Sequence, residues 1–182
     1  MKITKTGQSK QTFASPFCGT INFIFNCGIM PNTYTQLYIH TVFAVKFRRS
    51  LIKPHFGKQL FAVIGNLINE TGCRTIIVNG VEDHVHCFFR LKSTLSLSDV
   101  MKSVKAKSSK WVNESHLLED RFEWQKGFGG FSYHPSMVNS VYSYIENQNV
   151  HHQMESFRNE YQKLLNEFQV EADPNYWFEE LI

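Results

Sequence analysis

Val81-Glu82-Asp83-His84-Val85-His86-Cys87-Phe88-Phe89-Arg90 reads as a short β-strand, with side chains alternating between two faces. His84 and His86 then share one face, and Val85 and Cys87 share the other. Two neutral imidazoles spaced about 7 Å apart along a strand can converge on one divalent cation through bonds of about 2.0–2.2 Å. The pair alone is a weak signal, because histidines on strands are more often surface or hydrogen-bonded groups.

The neighbouring segments set this strand in a sheet. Residues 74–81 form a preceding strand, with Asn79-Gly80 or Glu82-Asp83 as the turn. Residues 34–47 form an earlier strand with near alternation at Leu37, Ile39, Thr41, Phe43 and Val45. Pro54 opens a helix in which Phe56, Leu60, Val63, Ile64, Leu67 and Ile68 recur at helical spacing and Gly72 is the stop. Downstream, Ser96 and Asp99 form a capping box. The helix that follows buries Leu97, Val100, Met101, Val104, Ser108 and Trp111. Residues 123–133, rich in Gly and aromatics, read as a strand or hairpin. Pro135-Ser136 starts a helix to about His152, and a last helix over 156–168 packs Phe157, Tyr161, Leu164, Leu165 and Phe168.

The order β-α-β-β-α-β-α-α predicts an α+β fold. Its first six elements have the ferredoxin-like order: an antiparallel four-stranded sheet with two helices on one face, to which C-terminal helices are added. Residues 30–182 read as one domain. Residues 1–29, rich in Thr, Ser, Asn and Gly, read as a poorly ordered upstream extension before Met30-Pro31-Asn32-Thr33. An added strand around residues 20–25 is the competing reading.

The 182 residues are 42% hydrophobic and 19% charged, which is a globular rather than a disordered composition. A net charge of +3 permits a nucleic-acid partner without demanding one. Cys18, Cys27, Cys73 and Cys87 form no CxxC pair, and free thiols in a reducing cytoplasm are the simple account. No apolar run reaches the roughly 18 residues of a membrane span.

A second cluster gives the histidine pair its meaning. In Tyr144-Ile145-Glu146-Asn147-Gln148, Tyr144 and Gln148 are four apart and lie on one helical face. Taken alone, they read as a boundary core residue and a solvated amide. Together with the imidazoles they make chemical sense. Two imidazoles and an amide oxygen supply three ligands and leave positions open for a phosphate oxygen and water, an arrangement that suits Mg2+ or Mn2+. A cation so held polarises a phosphodiester, and a nearby phenol can attack it as phenolate. The tyrosine-linked product keeps the energy of the broken bond for rejoining.

His84-Val85-His86, the segment Trp124-Gln125-Lys126-Gly127-Phe128-Gly129-Gly130-Phe131-Ser132, and Tyr144 through His152 followed by Ser156-Phe157-Arg158-Asn159-Glu160-Tyr161 resemble the single-tyrosine transposases of insertion sequences 200 and 605. These belong to the His-hydrophobic-His endonuclease superfamily. The resemblance covers residues 30–176. It implies that His84, His86 and Gln148 are metal ligands and that Tyr144 is the nucleophile that becomes attached to a DNA 5′ end. It further implies a homodimer that binds hairpins at the element's ends and cuts and joins single-stranded DNA, in the cytoplasm and on the nucleoid when bound. Completion of the site within one chain or between two stays open. Tyr142 could compete for the nucleophile's role, but it pairs at i, i+4 with Glu146, whereas Tyr144 pairs with Gln148.

Arg48, Arg49, Lys102, Lys105, Lys107 and Lys110, with Lys92 nearby, are candidate phosphate contacts. Phe128, Phe131 and Tyr133 could stack on bases, although core packing is the commoner role. His116, His134, His151 and His152 read as surface histidines. Other functional readings are a repeat-associated or non-catalytic relative that binds hairpins, and a phosphodiesterase in which water attacks.

Overall fold

The central strand is β1 (Tyr38–Ala44), paired antiparallel with β3 (His84–Arg90) on one side and β4 (Gly129–Tyr133) on the other. The outer strand β2 (Arg74–Gly80) pairs antiparallel with β3, giving the order β2-β3-β1-β4. This computed structural model describes residues 34–171, so the extension expected over 1–29 and the strand expected around 20–25 lie outside the described residues. The unit Tyr34–Ile182 carries the whole sheet. The α+β, ferredoxin-like arrangement is the one its sequence predicts.

Two helices cover one face. α1 (Pro54–Glu70) has Pro54 at its first turn and buries Phe56, Leu60, Ile64 and Ile68. It ends just before Gly72, whose φ of 89° is the left-handed geometry that stops a helix. α2 (Leu97–Glu114) begins at Ser96, whose side chain accepts a bond from the Asp99 N–H at 3.1 Å. It buries Val100, Met101, Val104, Ser108 and Val112, while Leu97 and Trp111 are only half-buried. These helices pack on Phe43, Val85, Cys87 and Phe89, odd-numbered side chains of β1 and β3, and on Val45 just past β1.

The even-numbered side chains point the other way, and they are buried too. α3 (Val138–Glu146) sets Val141 and Ile145 on Phe88, and α5 (Phe157–Glu167) sets Phe157, Leu164 and Leu165 on Val42, Ala44 and Phe131. β1 is therefore covered on both faces, and Phe131 is core.

Two segments differ from expectation. The helix expected to run unbroken to His152 starts with a 3-10 turn at Pro135–Met137 and divides at Asn147 (φ −94°, ψ 17°) into α3 and the short α4 (Gln148–His151). The break has a tertiary cause: Asn79 of β2 donates from Nδ2 to the carbonyls of Ile145 (2.8 Å) and Glu146 (3.0 Å), taking acceptors at the end of α3. Of residues 123–133, only β4 is a strand. Trp124 makes an isolated bridge to Val45, and its indole N–H donates to Ser108 Oγ at 2.9 Å.

The β2–β3 turn positions the histidines. Gly80 is required there, because a Cβ on it would lie 2.3 Å from the His84 carbonyl oxygen. Glu82 and Asp83 lie in the turn that follows.

Candidate metal and nucleophile site

His84 and His86 lie on the face of β3 that α3–α5 cover, fully buried, with ring centroids 5.1 Å apart. Each ring is held through Nδ1. His84 Nδ1 lies 2.7 Å from Asp83 Oδ1. An ionised carboxylate can only accept, so His84 carries its proton on Nδ1 and turns the Nε2 lone pair inward. His86 Nδ1 lies 2.9 Å from Nε2 of His40, a buried ring stacked on it from β1. Burial lowers the His86 pKa to about 4, with the charges of His84 and His152 adding to the decrease and Glu160 opposing it, so the ring is neutral at pH 7.

Asp83 is anchored in turn by Arg48, whose Nε and Nη2 lie 3.1 and 2.5 Å from Oδ2. Burial alone would raise this carboxyl. The bond from His84 and the bonds and charge of Arg48 outweigh it and hold the pKa near 2. Phe47 and Arg48 take left-handed φ of 57° and 50°, a strained turn that places the guanidinium over Asp83 and against the Phe157 ring.

Gln148, the first residue of α4, is fully buried, and its Nε2 donates to Glu160 Oε1 at 2.9 Å. Tyr144 lies on α3 with its ring 5.9 Å from that of His86, and its hydroxyl donates to the same Oε1. Burial, then the Glu160 charge, pushes the phenol well above its ordinary value. The break at Asn147 has not separated Tyr144 from Gln148. Tyr142 is 38% exposed, and its hydroxyl donates to Glu146 Oε1 at 3.4 Å, away from the imidazoles.

Besides His40 Nδ1 and His151 Nε2 at the edge of the cluster, three atoms here are buried without a hydrogen-bond partner: His84 Nε2, His86 Nε2 and Gln148 Oε1. They belong to the three side chains that the sequence singled out as ligands. Tyr144 and all three stand together within one chain.

Besides His40 and Asp83, which hold the two imidazoles, two further residues were missed. Glu160 of α5, 2% exposed, sits at the centre of the cluster, and His152, read as a surface histidine, bonds to it at 3.0 Å. His152 also gives Nδ1–H to the Glu155 carbonyl at 2.9 Å. Burial opposes its protonation, but the bond and charge of Glu160 prevail and raise its pKa. The bond from His152 and the nearby His84 and His86 rings hold the Glu160 carboxyl far below the usual range, although burial works in the opposite direction. One signal was legible: Glu160 lies three residues from Phe157 and four from Leu164, inside an apolar helical stripe.

The candidate DNA-binding cations are mostly engaged within the chain. Arg48 holds Asp83, Arg49 pairs with Asp120, and Lys107 and Lys110 lie 3.3 and 3.6 Å from Glu70 and Glu114. Lys105 turns inward to the carbonyls of Gln125 (2.7 Å) and Gly127, and burial lowers its pKa to about 8. Lys102 is exposed. Beside α2 runs a cleft of about 880 Å3, lined by Lys46, Lys105, Lys110, Arg121 and Lys126 with Glu114 and Glu123.

Comparison with known families gives one decisive match, to transposase IS200 like, over residues 33–148. The chain belongs to the IS200-like transposase family. That match spans β1 through Gln148, so His84, His86, Tyr144 and Gln148 lie inside it, whereas His152 and Glu160 lie beyond it. Among solved structures, a putative transposase from Deinococcus radiodurans R1 is similar, with 17% identity and a TM-score of 0.53 over 66% of this chain and 96% of that one. A REP-associated tyrosine transposase bound to a REP hairpin is similar at 15% identity and a TM-score of 0.51, over 85% of this chain and 98% of that one. At such identities the likeness is one of fold. No curated protein sequence matches the chain. No helix among the described residues of this transposase is long and apolar enough to cross a membrane.

Proposed function

We propose that the protein cleaves and rejoins single-stranded DNA during transposition, with Tyr144 as nucleophile beside a divalent-cation site formed by His84, His86 and Gln148. One observation carries this reading: the unpartnered inward atoms of those three side chains, gathered next to the phenol. A single buried polar atom without a partner costs about 1–3 kcal/mol. Three in one place, two imidazole nitrogens and an amide oxygen, make a donor set that fits Mg2+ or Mn2+. Such an ion, when bound, supplies charge stabilisation at the scissile phosphate.

The chain's own groups do the rest. Tyr144 Oη forms the bond to phosphorus as the bond to the DNA 3′ oxygen breaks. That oxygen leaves as a 3′-hydroxyl, so the phenol's proton is balanced by the one the product gains. The 5′-phosphotyrosine retains the phosphodiester for a second 3′-hydroxyl to attack. Before substrate arrives, burial and the bond to Glu160 keep the phenol protonated, which suppresses attack by an idle nucleophile. Asp83 and Arg48 fix the His84 ring, and His40 fixes His86.

Single-stranded DNA with hairpin ends is the proposed partner, in the cytoplasm and on the nucleoid. The cleft beside α2 and exposed Lys102 offer phosphate contacts whose affinity falls with salt. A homodimer is the proposed assembly. Each chain holds all four site groups, so a dimer would carry two complete centres without exchanging helices. The same observation favours a second reading, a repeat-associated relative that works as a monomer, and the mass in solution separates the two.

The test is a denaturing gel of purified protein with hairpin-flanked single-stranded DNA and Mg2+ or Mn2+. A covalent protein–DNA adduct is expected from the wild type and from Tyr142→Phe, and none from Tyr144→Phe. An adduct that persists in Tyr144→Phe removes the nucleophile assignment, and cleavage without any adduct assigns the attack to water.

A further inference from the structure

Glu160 is the most buried carboxylate of the site and lies on α5, beyond the residues that match the family. Its Oε2 is 3.5 Å from His84 Nε2, and its Oε1 is 3.6 Å from His86 Nε2. Neither ring nitrogen forms a hydrogen bond. The Asp83 bond puts the His84 proton on the far nitrogen, so a lone pair of the ring faces an oxygen lone pair in a buried space. Two electron-rich atoms so placed repel, and a positive centre between them reverses the sign.

The spacing suits such a centre. Ligand atoms bound to one small divalent ion by bonds of about 2.0–2.2 Å stand about 3–3.6 Å apart. One atom from each of His84, His86, His152 and Glu160 can be chosen so that all lie within 4.8 Å of one another. The carboxylate is also held in place: His152 binds Oε2 at 3.0 Å, and Gln148 Nε2 binds Oε1 at 2.9 Å. That bond turns the Gln148 amide so that its oxygen is the unpartnered atom.

We propose that Glu160 is a further ligand of the divalent cation, joining His84, His86 and Gln148 and supplying the only anionic group among them. The proposal rests on the metal-site reading above. A carboxylate offsets part of the ion's charge that three neutral ligands leave uncompensated, and it shifts the preference toward hard, oxygen-seeking ions such as Mg2+ and Mn2+. His152, which binds Oε2 of that carboxylate, is then a positioning residue.

The experiment is a titration of the full chain with Mn2+, followed by the paramagnetic resonance of the free ion, together with Co2+ absorption in the visible. Wild type should bind one ion at the site, His84→Ala should lose it, and Glu160→Gln should bind at least about tenfold more weakly with shifted Co2+ bands. Glu160→Asp should bind with an intermediate affinity. Binding by Glu160→Gln within twofold of wild type, with an unchanged Co2+ spectrum and loss in His84→Ala, overturns the role of Glu160 and leaves the metal site standing. If wild type binds no ion, the metal-site reading falls and takes this proposal with it. A measurement on wild type alone guards against misfolded variants. In protein labelled with 13C at glutamate carboxyls, Mn2+ should shift a carboxylate stretching band in the infrared, and an unshifted spectrum overturns the proposal.

Discussion

Replacing Asp83 with Asn tests how the histidine site is held. The carboxylate links Arg48 to His84 Nδ1 and is only 15% exposed. Its pKa of about 2, against 3.8 for a free aspartate, makes it worth about 2 kcal/mol to the folded state at pH 7. The folded-state value is depressed, so this stability is present above pH 3.8 and disappears as pH falls through about 2. Asp83→Asn should therefore unfold at lower denaturant than wild type at pH 7, by about 2 kcal/mol, and the gap should shrink to about 1 kcal/mol at pH 3. Taking the difference between the two proteins removes the contribution of every other carboxylate. The same substitution loosens a group that orients a ligand, so Mn2+ affinity should drop about 10–100-fold. Equal stability of the two proteins at pH 7, or a gap that does not change with pH, would refute the Arg48–Asp83–His84 chain as described.

Saturating Mn2+ at about 100 times its dissociation constant should raise the stability of wild type by about 2.7 kcal/mol, and His84→Ala should gain nothing. The same variant should retain hairpin binding and lose cleavage; if it cleaves at the wild-type rate, His84 is no ligand. Gly129→Ala should destabilise the fold by about 1–3 kcal/mol in thermal melts, because its Cβ would sit 2.8 Å from Tyr161 Cε2 and 3.2 Å from Phe131 Cε2. An unchanged melting temperature would mean that α5 does not pack on β4 as described.

The legible parts of this protein were those set by local periodicity. Period-two alternation placed His84 and His86 on one face, and Ser96 with Asp99 marked the start of α2. The i, i+4 spacing of Tyr144 and Gln148 held although Asn147 interrupts the helix between them. What escaped depends on partners distant in sequence. The break at Asn147 is fixed by Asn79 on another strand. Arg48 reads as a free cation until the fold brings Asp83 to it. His152 reads as a surface histidine until α5 folds back and sets Glu160 beside it. Lys105 sits in a basic stretch, yet it caps the carbonyls of Gln125 and Gly127. A charged residue on an apolar helical stripe, as Glu160 is, was a clue to the missing group that the sequence did contain.

Anomalous diffraction from Mn2+-containing crystals of the protein tests the central claim most directly. A single peak is expected within about 2.0–2.3 Å of His84 Nε2, His86 Nε2 and Gln148 Oε1 of the same chain, with that chain's Tyr144 hydroxyl beside it. A peak remote from the imidazoles, or one at which Gln148 and Tyr144 come from a second chain, would contradict it.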